Sequence, residues 1–331
     1  MAKTWTPDDV LLLARGYQAA SVLAAAADLD LFRSVTGGGL TAEEIARARS
    51  CDLRAATILL DSLAALELLE KTGHRYTVPP GLLPLLAQEG PGSILSMARH
   101  QANCLRRWAQ LTRVVMTGRS AAGEPGPLGG EADTRSFIGA MHDVSSPVAG
   151  EVIGGLKPMD VACVLDVGGA SGTWSLAFLE IFPGASAILF DLPEVIPLAR
   201  SRITAMGMAD RVRFVAGDFL RDPLPEGADL AWVSAIIHQN SREQNRALFA
   251  SVLRALSPGG RIALRDVVME PSRTAPAAGA LFAVNMLVGT EGGGTYTLDE
   301  IREDLEAAGF GGVTLLRRDP AMNSLVTATR P

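Results

Sequence analysis

The sequence predicts an α/β protein in two parts, a mostly helical N-terminal domain followed by an open sheet with helices on both faces. Three observations carry that expectation. Apolar residues recur at helical spacing from Thr6 to Phe32, further short helical segments follow, and from Cys163 onward short apolar runs alternate with amphipathic helices. At 331 residues the chain is about twice the length of a common domain, so it has room for two cores.

The first element opens at Thr6-Pro7-Asp8 and carries Leu11, Leu12, Ala14, Tyr17, Ala20, Leu23, Ala24 and Ala27. A helix this apolar needs cover on more than one side, and its alanines let another helix come close. That favours a subunit interface over a core helix of one small domain. Thr41-Ala42-Glu43-Glu44 then forms a capping box, Asp52 to Glu70 a longer helix, and Tyr76-Thr77-Val78-Pro79-Pro80 a strand end. The order is similar to a winged helix-turn-helix and raises DNA binding as a competing function. The would-be reading helix, Leu53 to Leu69, sets Arg54 against Asp61 and Glu67 and is otherwise almost wholly apolar, whereas a groove-reading helix presents basic and amide side chains. The net charge of -6 points the same way, because nucleic acid and anionic membranes both call for clustered cations.

Cys51, Cys104 and Cys163 are odd in number and lack C-x-x-C spacing, which argues against a disulfide framework and a zinc site and fits a reducing cytoplasm. No signal-peptide pattern and no uninterrupted apolar run of about 18 residues stand out, so no membrane partner is expected. The segment Gly118 to Ala132, with Gly-Glu-Pro-Gly-Pro-Leu-Gly-Gly inside it, reads as a loop and as a cover over a site.

In the second part, the apolar runs are Cys163 to Val167, Ala187 to Phe190, Val212 to Ala216, Leu230 to Ser234, Arg261 to Leu264 and Val313 to Leu316, the pattern of a parallel sheet. The first run opens into the turn Gly168-Gly169-Ala170-Ser171-Gly172. The dinucleotide fingerprint wants glycines at the first, third and sixth positions from Gly168, but the chain has Gly168, Ala170 and Thr173, and no Gly-Lys-Ser/Thr ending marks a P-loop. What remains is an acid, Asp166, before a glycine turn, which suits a cofactor with an amino group and no phosphates. Roughly 25 residues on, Asp191 ends the second run, where an acid can accept from both hydroxyls of a ribose. After the third run, Asp218 can accept from an adenine amino group while Phe219 covers the ring. Each acid alone is more often a turn or helix cap, but three in this order form a pattern.

These residues resemble the small-molecule O-methyltransferases of bacteria and plants, a family that includes caffeate-type, acetylserotonin and polyketide-tailoring enzymes. The resemblance runs the length of the chain. It rests on Leu165-Asp166-Val167-Gly168-Gly169, Phe190-Asp191-Leu192-Pro193-Glu194-Val195, Gly217-Asp218-Phe219, His238, Pro258-Gly259-Gly260-Arg261 and Ala307-Ala308-Gly309-Phe310. It implies a class I methyltransferase Rossmann-like sheet, S-adenosylmethionine as cofactor, and a winged-helix dimerisation domain that makes a homodimer. The expected divisions are residues 1–100 for dimerisation, 101–155 for a helical connector at the substrate pocket and 156–331 for catalysis. Cofactor contacts are implied for Asp166, Gly168, Gly169, Gly172, Asp191, Leu192, Gly217, Asp218, Phe219 and Ser234.

The resemblance also makes His238 the general base and Asp266 the acid that orients it, where many relatives have Glu. Only His238 among the four histidines follows a sheet strand at its C-terminal end, where ligands of open α/β sheets bind. His74 and His100 read as structural or exposed. The chain departs from relatives at Ser234, where many have Lys, and at Thr295, where plant members have a second Glu. Trp108, Phe137, Met141, His142, Phe282, Asn285 and Met286 are expected to wall an aromatic substrate, with core packing an equal reading for each. No second His or Cys accompanies His238 at ligand spacing, so no catalytic metal is expected. Alternatives to O-methylation are C- or N-methylation of a related metabolite, or a non-methylating relative that keeps the cofactor.

Overall fold

The computed structural model describes residues 3–88, 90, 92–123 and 125–331. Glu124, inside the loop expected over 118–132, lies outside the described residues. The chain divides into two compact units, residues 1–109 with 123–143, and residues 110–122 with 144–331.

The first unit begins with α1 (Pro7–Ala14), α2 (Tyr17–Asp28) and α3 (Leu31–Ser34). Thr6 caps α1 in a reciprocal box with Asp9. The continuous apolar pattern over Thr6 to Phe32 is thus three helices, interrupted at Arg15-Gly16 and again at Asp30, which takes a left-handed backbone at φ 52°. By length and composition alone Pro7–Asp28 could cross a membrane; within the unit, Leu12 and Leu13 are 75 % and 70 % exposed. β1 (Leu40–Thr41), α4 (Ala42–Arg49), α5 (Leu53–Ala65), β2 (Glu70–Thr72) and β3 (Arg75–Thr77) follow, the strands forming a small antiparallel sheet in the order β1-β3-β2. Thr41 and Glu44 make the capping box read from the sequence. Helix α5 stops at Ala65, short of the expected Glu70, because Glu67 turns left-handed at φ 60° and the Leu68 N–H returns to the Leu63 carbonyl. Asp61 pairs with Lys71 at 2.6 Å and accepts from the Tyr76 hydroxyl, so it serves the hairpin. Helix α6 (Leu95–Trp108) packs on α2, α7 (Leu111–Thr117) belongs to the second unit, and α8 (Gly130–Ser145) begins inside the segment read as loop.

The second unit runs α9 (Ala149–Gly154), β4 (Cys163–Val167), α10 (Thr173–Ile181), β5 (Ser186–Asp191), α11 (Ile196–Ala205), β6 (Val212–Ala216), β7 (Ala228–Ser234), α12 (Arg242–Ala255) and β8 (Leu256–Asp266). Then come β9 (Val268–Met269), α13 (Ala277–Gly289), β10 (Tyr296–Thr297), α14 (Leu298–Ala307), β11 (Gly311–Arg317) and β12 (Ser324–Thr329). Seven strands form one sheet in the order β11-β12-β8-β7-β4-β5-β6. The expectation of a parallel sheet needs correction: β12 enters antiparallel between β8 and β11. Ser324-Leu325-Val326-Thr327-Ala328-Thr329 divides three apolar residues among three hydroxyls and so shows no long apolar run, although five of its six residues are buried. Two apolar cores lie on the two faces. One joins Leu165, Phe190, Val233 and Leu264 to α12 and α14, the other joins Val164, Leu189, Trp232 and Ala263 to α9, α10 and α11.

Candidate active site

At the C-terminal end of β7 the backbone leaves the sheet through Ala235, left-handed at φ 58°, into a short 3-10 turn carrying His238. His238 is 6 % exposed and Asp266, at the end of the neighbouring β8, is 3 % exposed. The Nδ1 of His238 lies 2.9 Å from both carboxylate oxygens of Asp266, one of which also accepts from the Val267 N–H at 2.8 Å. A carboxylate only accepts, so Nδ1 is the donor in this contact, and in the neutral ring that tautomer leaves Nε2 as the acceptor. Phe282 packs edge-on against the imidazole, 4.7 Å between ring centroids at 83°. The turn itself is pinned: the His238 carbonyl accepts from Gly294 at 2.9 Å, the Ile237 carbonyl accepts from Asn245 at 3.0 Å, and the Tyr296 hydroxyl donates to the Asn240 carbonyl. Burial pushes the Tyr296 phenol up to about 12, so it stays a neutral donor. Thr295 is buried, and its carbonyl accepts from Arg273 at 3.1 Å.

Beside this pair, the turn after β4 hangs on the end of β5. The Phe190 carbonyl accepts from Gly168 at 2.8 Å and Gly169 at 3.3 Å, and one oxygen of Asp191 accepts from Ala170 at 2.7 Å. The other oxygen accepts from the Leu192 N–H at 2.7 Å. A carboxylate offers about four acceptor positions, so two remain for a ligand. Burial raises the Asp191 carboxyl above its ordinary range, a cost that a polar or cationic ligand would offset. Gly168 has φ 67°, and a Cβ there would come 2.7 Å from Ile236, so both backbone and space call for glycine. Gly169, Gly172 and Gly217 are likewise closed by Leu189, Ile203 and Phe190.

Asp166 is fully buried beneath the turn, one oxygen accepting from both the N–H and the hydroxyl of Ser175 at 3.1 and 2.7 Å. Burial raises its carboxyl to about 7. Asp218 accepts from the Leu220 N–H at 2.9 Å and stands next to half-buried Phe219. Ser234 accepts from Arg265 at 3.2 Å. Among the substrate-wall candidates, Phe282, Asn285 and Met286 share α13 in the second unit, Phe282 on the imidazole and Met286 buried. Trp108 ends α6, while Phe137, Met141 and His142 lie on α8, where Phe137 packs on His100 of α6 at 5.2 Å. His74 is exposed and His100 half-buried, the latter with its basicity lowered by burial. Sequence reasoning missed Ser175, Ala170 and Arg265, which act through hydrogen bonds and carry no spacing signal. Among the described residues no cluster of three or more His, Cys, Asp or Glu is grouped to hold a metal ion.

The sheet, the glycine turn and the acids at three successive strand ends define a class I methyltransferase. The O-methyltransferase domain model matches residues 128–311, and the O-methyltransferase dimerisation domain model matches residues 11–80. The chain is 34 % identical over 310 residues to the tetracenomycin polyketide synthesis 8-O-methyl transferase of Streptomyces glaucescens, covering 92 % of this chain and 91 % of that protein. It is 33 % identical to the 3-hydroxy-5-methyl-1-naphthoate 3-O-methyltransferase of Streptomyces sahachiroi, covering 96 % and 94 %. Human N-acetylserotonin methyltransferase in complex with SAM superposes with a TM-score of 0.82 at 25 % identity, covering 100 % of this chain and 99 % of that one. The chain belongs to the O-methyltransferase family: it is an S-adenosylmethionine-dependent O-methyltransferase of the secondary-metabolite type with the family's dimerisation domain.

The raised Asp166 carboxyl predicts a pH signature of stability. Between the ordinary value of 3.8 and about 7 the folded protein holds a proton that the unfolded chain releases, so stability falls as pH rises through that window and levels above it. In the cofactor-free protein, Asp166→Asn abolishes this titration. Its unfolding free energy relative to wild type should climb between about pH 4 and 7 in urea denaturation; parallel curves would contradict the assignment.

Proposed function

We propose that the protein methylates a phenolic hydroxyl of an aromatic small molecule, with His238 as general base and Asp266 as the acid that holds its ring. The observation that carries this reading is the buried 2.9 Å contact from His238 Nδ1 to Asp266 at the ligand-binding end of the sheet. The two Streptomyces relatives, a polyketide methyltransferase and a hydroxynaphthoate methyltransferase, support an aromatic acceptor.

S-adenosylmethionine supplies, when bound, an electrophilic methyl group on a sulfonium. The chain's own work is to position the acceptor, exclude water and take a proton at His238 Nε2. A phenol has a pKa of about 10 and imidazole one of about 6.5, so proton transfer is uphill unless coupled to attack on the methyl group. Asp266 fixes the tautomer and stabilises the imidazolium that forms. Asp191 would use its two remaining acceptor positions for the ribose hydroxyls, beside the Leu192 backbone. Asp218 and Phe219 would take the adenine edge and face. Gly168, Gly169, Gly172 and Gly217 shape the turns, Asp166 holds them from below through Ser175, and Ser234 offers its hydroxyl. Phe282, with Asn285 and Met286, would wall the acceptor. Residues 1–100 would form a winged-helix dimerisation domain, 101–155 a connector and 156–331 the catalytic domain, in a homodimer that binds no nucleic acid.

Three outcomes test this reading. Asp191→Asn should weaken calorimetric binding of S-adenosylhomocysteine by about tenfold or more, and an unchanged affinity would remove the ribose contact. On a phenol panel read by mass for added methyl groups, His238→Ala should lower turnover by roughly 10² to 10⁴ and Asp266→Asn by less, with cofactor affinity almost intact; full activity in His238→Ala at all pH values would sink the base assignment. In sedimentation at micromolar concentration the wild type should run as a dimer, and the Leu12→Glu, Leu13→Glu variant should dissociate. A monomeric wild type would refute the dimer.

A further inference from the structure

Arg265 precedes Asp266 on β8 and, by strand alternation, points to the opposite face of the sheet. It is 4 % exposed. Its Nη1 donates to the Ser234 hydroxyl at 3.2 Å, and its Nε and Nη2 both donate to the Asn323 side-chain oxygen at 2.9 and 2.7 Å. The guanidinium lies 4.6 Å from the centroid of the Trp174 ring, at the start of the helix that follows the glycine turn. Its hydrogen-bond and ring partners, Asn323, Ser234 and Trp174, are neutral. Burying a guanidinium with no carboxylate hydrogen-bonded to it is costly, and burial lowers this one to about 10 from 12.5 although the charges of Asp266 and Asp319 favour it from a distance. A Met or Leu would fill the space without that cost, so its directed hydrogen bonds are what distinguish it there.

Those bonds converge on one short piece of chain. The Arg265 side chain holds Ser234, and its backbone carbonyl accepts from the Ala235 N–H at 2.8 Å. Ala235 is the left-handed residue through which the chain leaves β7 toward His238, a conformation that strains a non-glycine residue and persists only where its surroundings impose it. Arg265 grips that bend from one face of the sheet, while Asp266 grips the imidazole from the other.

We infer that Arg265 is a positioning residue for methyl transfer, fixing the Ser234–Ala235 bend so that the ring of His238 stays seated on Asp266. The inference rests on the proposed His238–Asp266 pair. It assigns Arg265 no contact with substrate or cofactor; its action passes through Ser234 and Ala235.

The test reads the Nδ1 proton itself, in full-length protein with ¹⁵N-labelled histidine and saturating S-adenosylhomocysteine. A ring N–H resonance protected from solvent exchange and absent in His238→Gln identifies the pair; if no such resonance exists, the His238–Asp266 pair falls and the inference falls with it. Given that resonance, Arg265→Met should speed its exchange about tenfold or more while backbone amides of β4 exchange at their wild-type rate. Ser234→Ala, which removes one arm, should shift it in the same direction by less. Should Arg265→Met fail to fold, Arg265→Lys gives the same readout, because it keeps the charge and loses the fork. A role confined to stability would lower Tm and speed the β4 amides and the ring proton alike, and that result, or an unchanged ring proton in folded variants, overturns the inference.

Discussion

The need to satisfy every backbone N–H in a turn that cannot join a sheet governs the arrangement of this catalytic domain. Gly168, Gly169 and Ala170 leave β4 without strand partners, and all three donate to the end of β5: two to the Phe190 carbonyl and one to the Asp191 side chain. The next strand relies on the same residue, since the Gly217 N–H donates to the Asp191 carbonyl at 2.9 Å. Asp191 thereby fastens three strand ends with one side chain and one carbonyl. The geometry leaves its carboxylate at the end of β5, half in use and poorly solvated.

The two faces of β8 divide the labour around His238. Asp266 meets the imidazole, while Arg265 reaches the strand end that leads to it. Below the glycine turn the division is similar, since Asp166 faces no solvent and spends its oxygen on Ser175 at the start of α10. An acid at a strand end can therefore serve the ligand or serve the turn that receives it, and burial separates the two. Asp166 is enclosed, and Asp191 is open enough to take further hydrogen bonds.

Much of this was legible in the residue order. The run Val164-Leu165-Asp166-Val167 before a glycine turn places a buried strand and its exit, and Asp191 and His238 fall at strand ends because apolar runs stop there. Thr6 announced its helix through Pro7 and Asp8, and Thr41 through Glu44 three positions on. What stayed hidden depends on tertiary contacts. The breaks at Arg15-Gly16 and Asp30 interrupt a pattern whose apolar spacing continues through them, and the end of α5 depends on one left-handed residue. Ser324–Thr329 has too little apolar bulk to signal a strand, yet pairing with β8 along its length makes it one. Arg265 carries no signal of its burial in the residue order, and only the fold encloses it.

That interior position of β12 has a consequence for how the protein is made. β12 lies second from the edge of the sheet and joins β8 to β11, so neither neighbour can be completed in the order of synthesis. Until residue 324 clears the ribosome, β8 presents an open, apolar strand edge, a template for pairing with other nascent chains. The catalytic sheet closes only when β12 inserts, and Asn323, the anchor for Arg265, arrives with that closing strand.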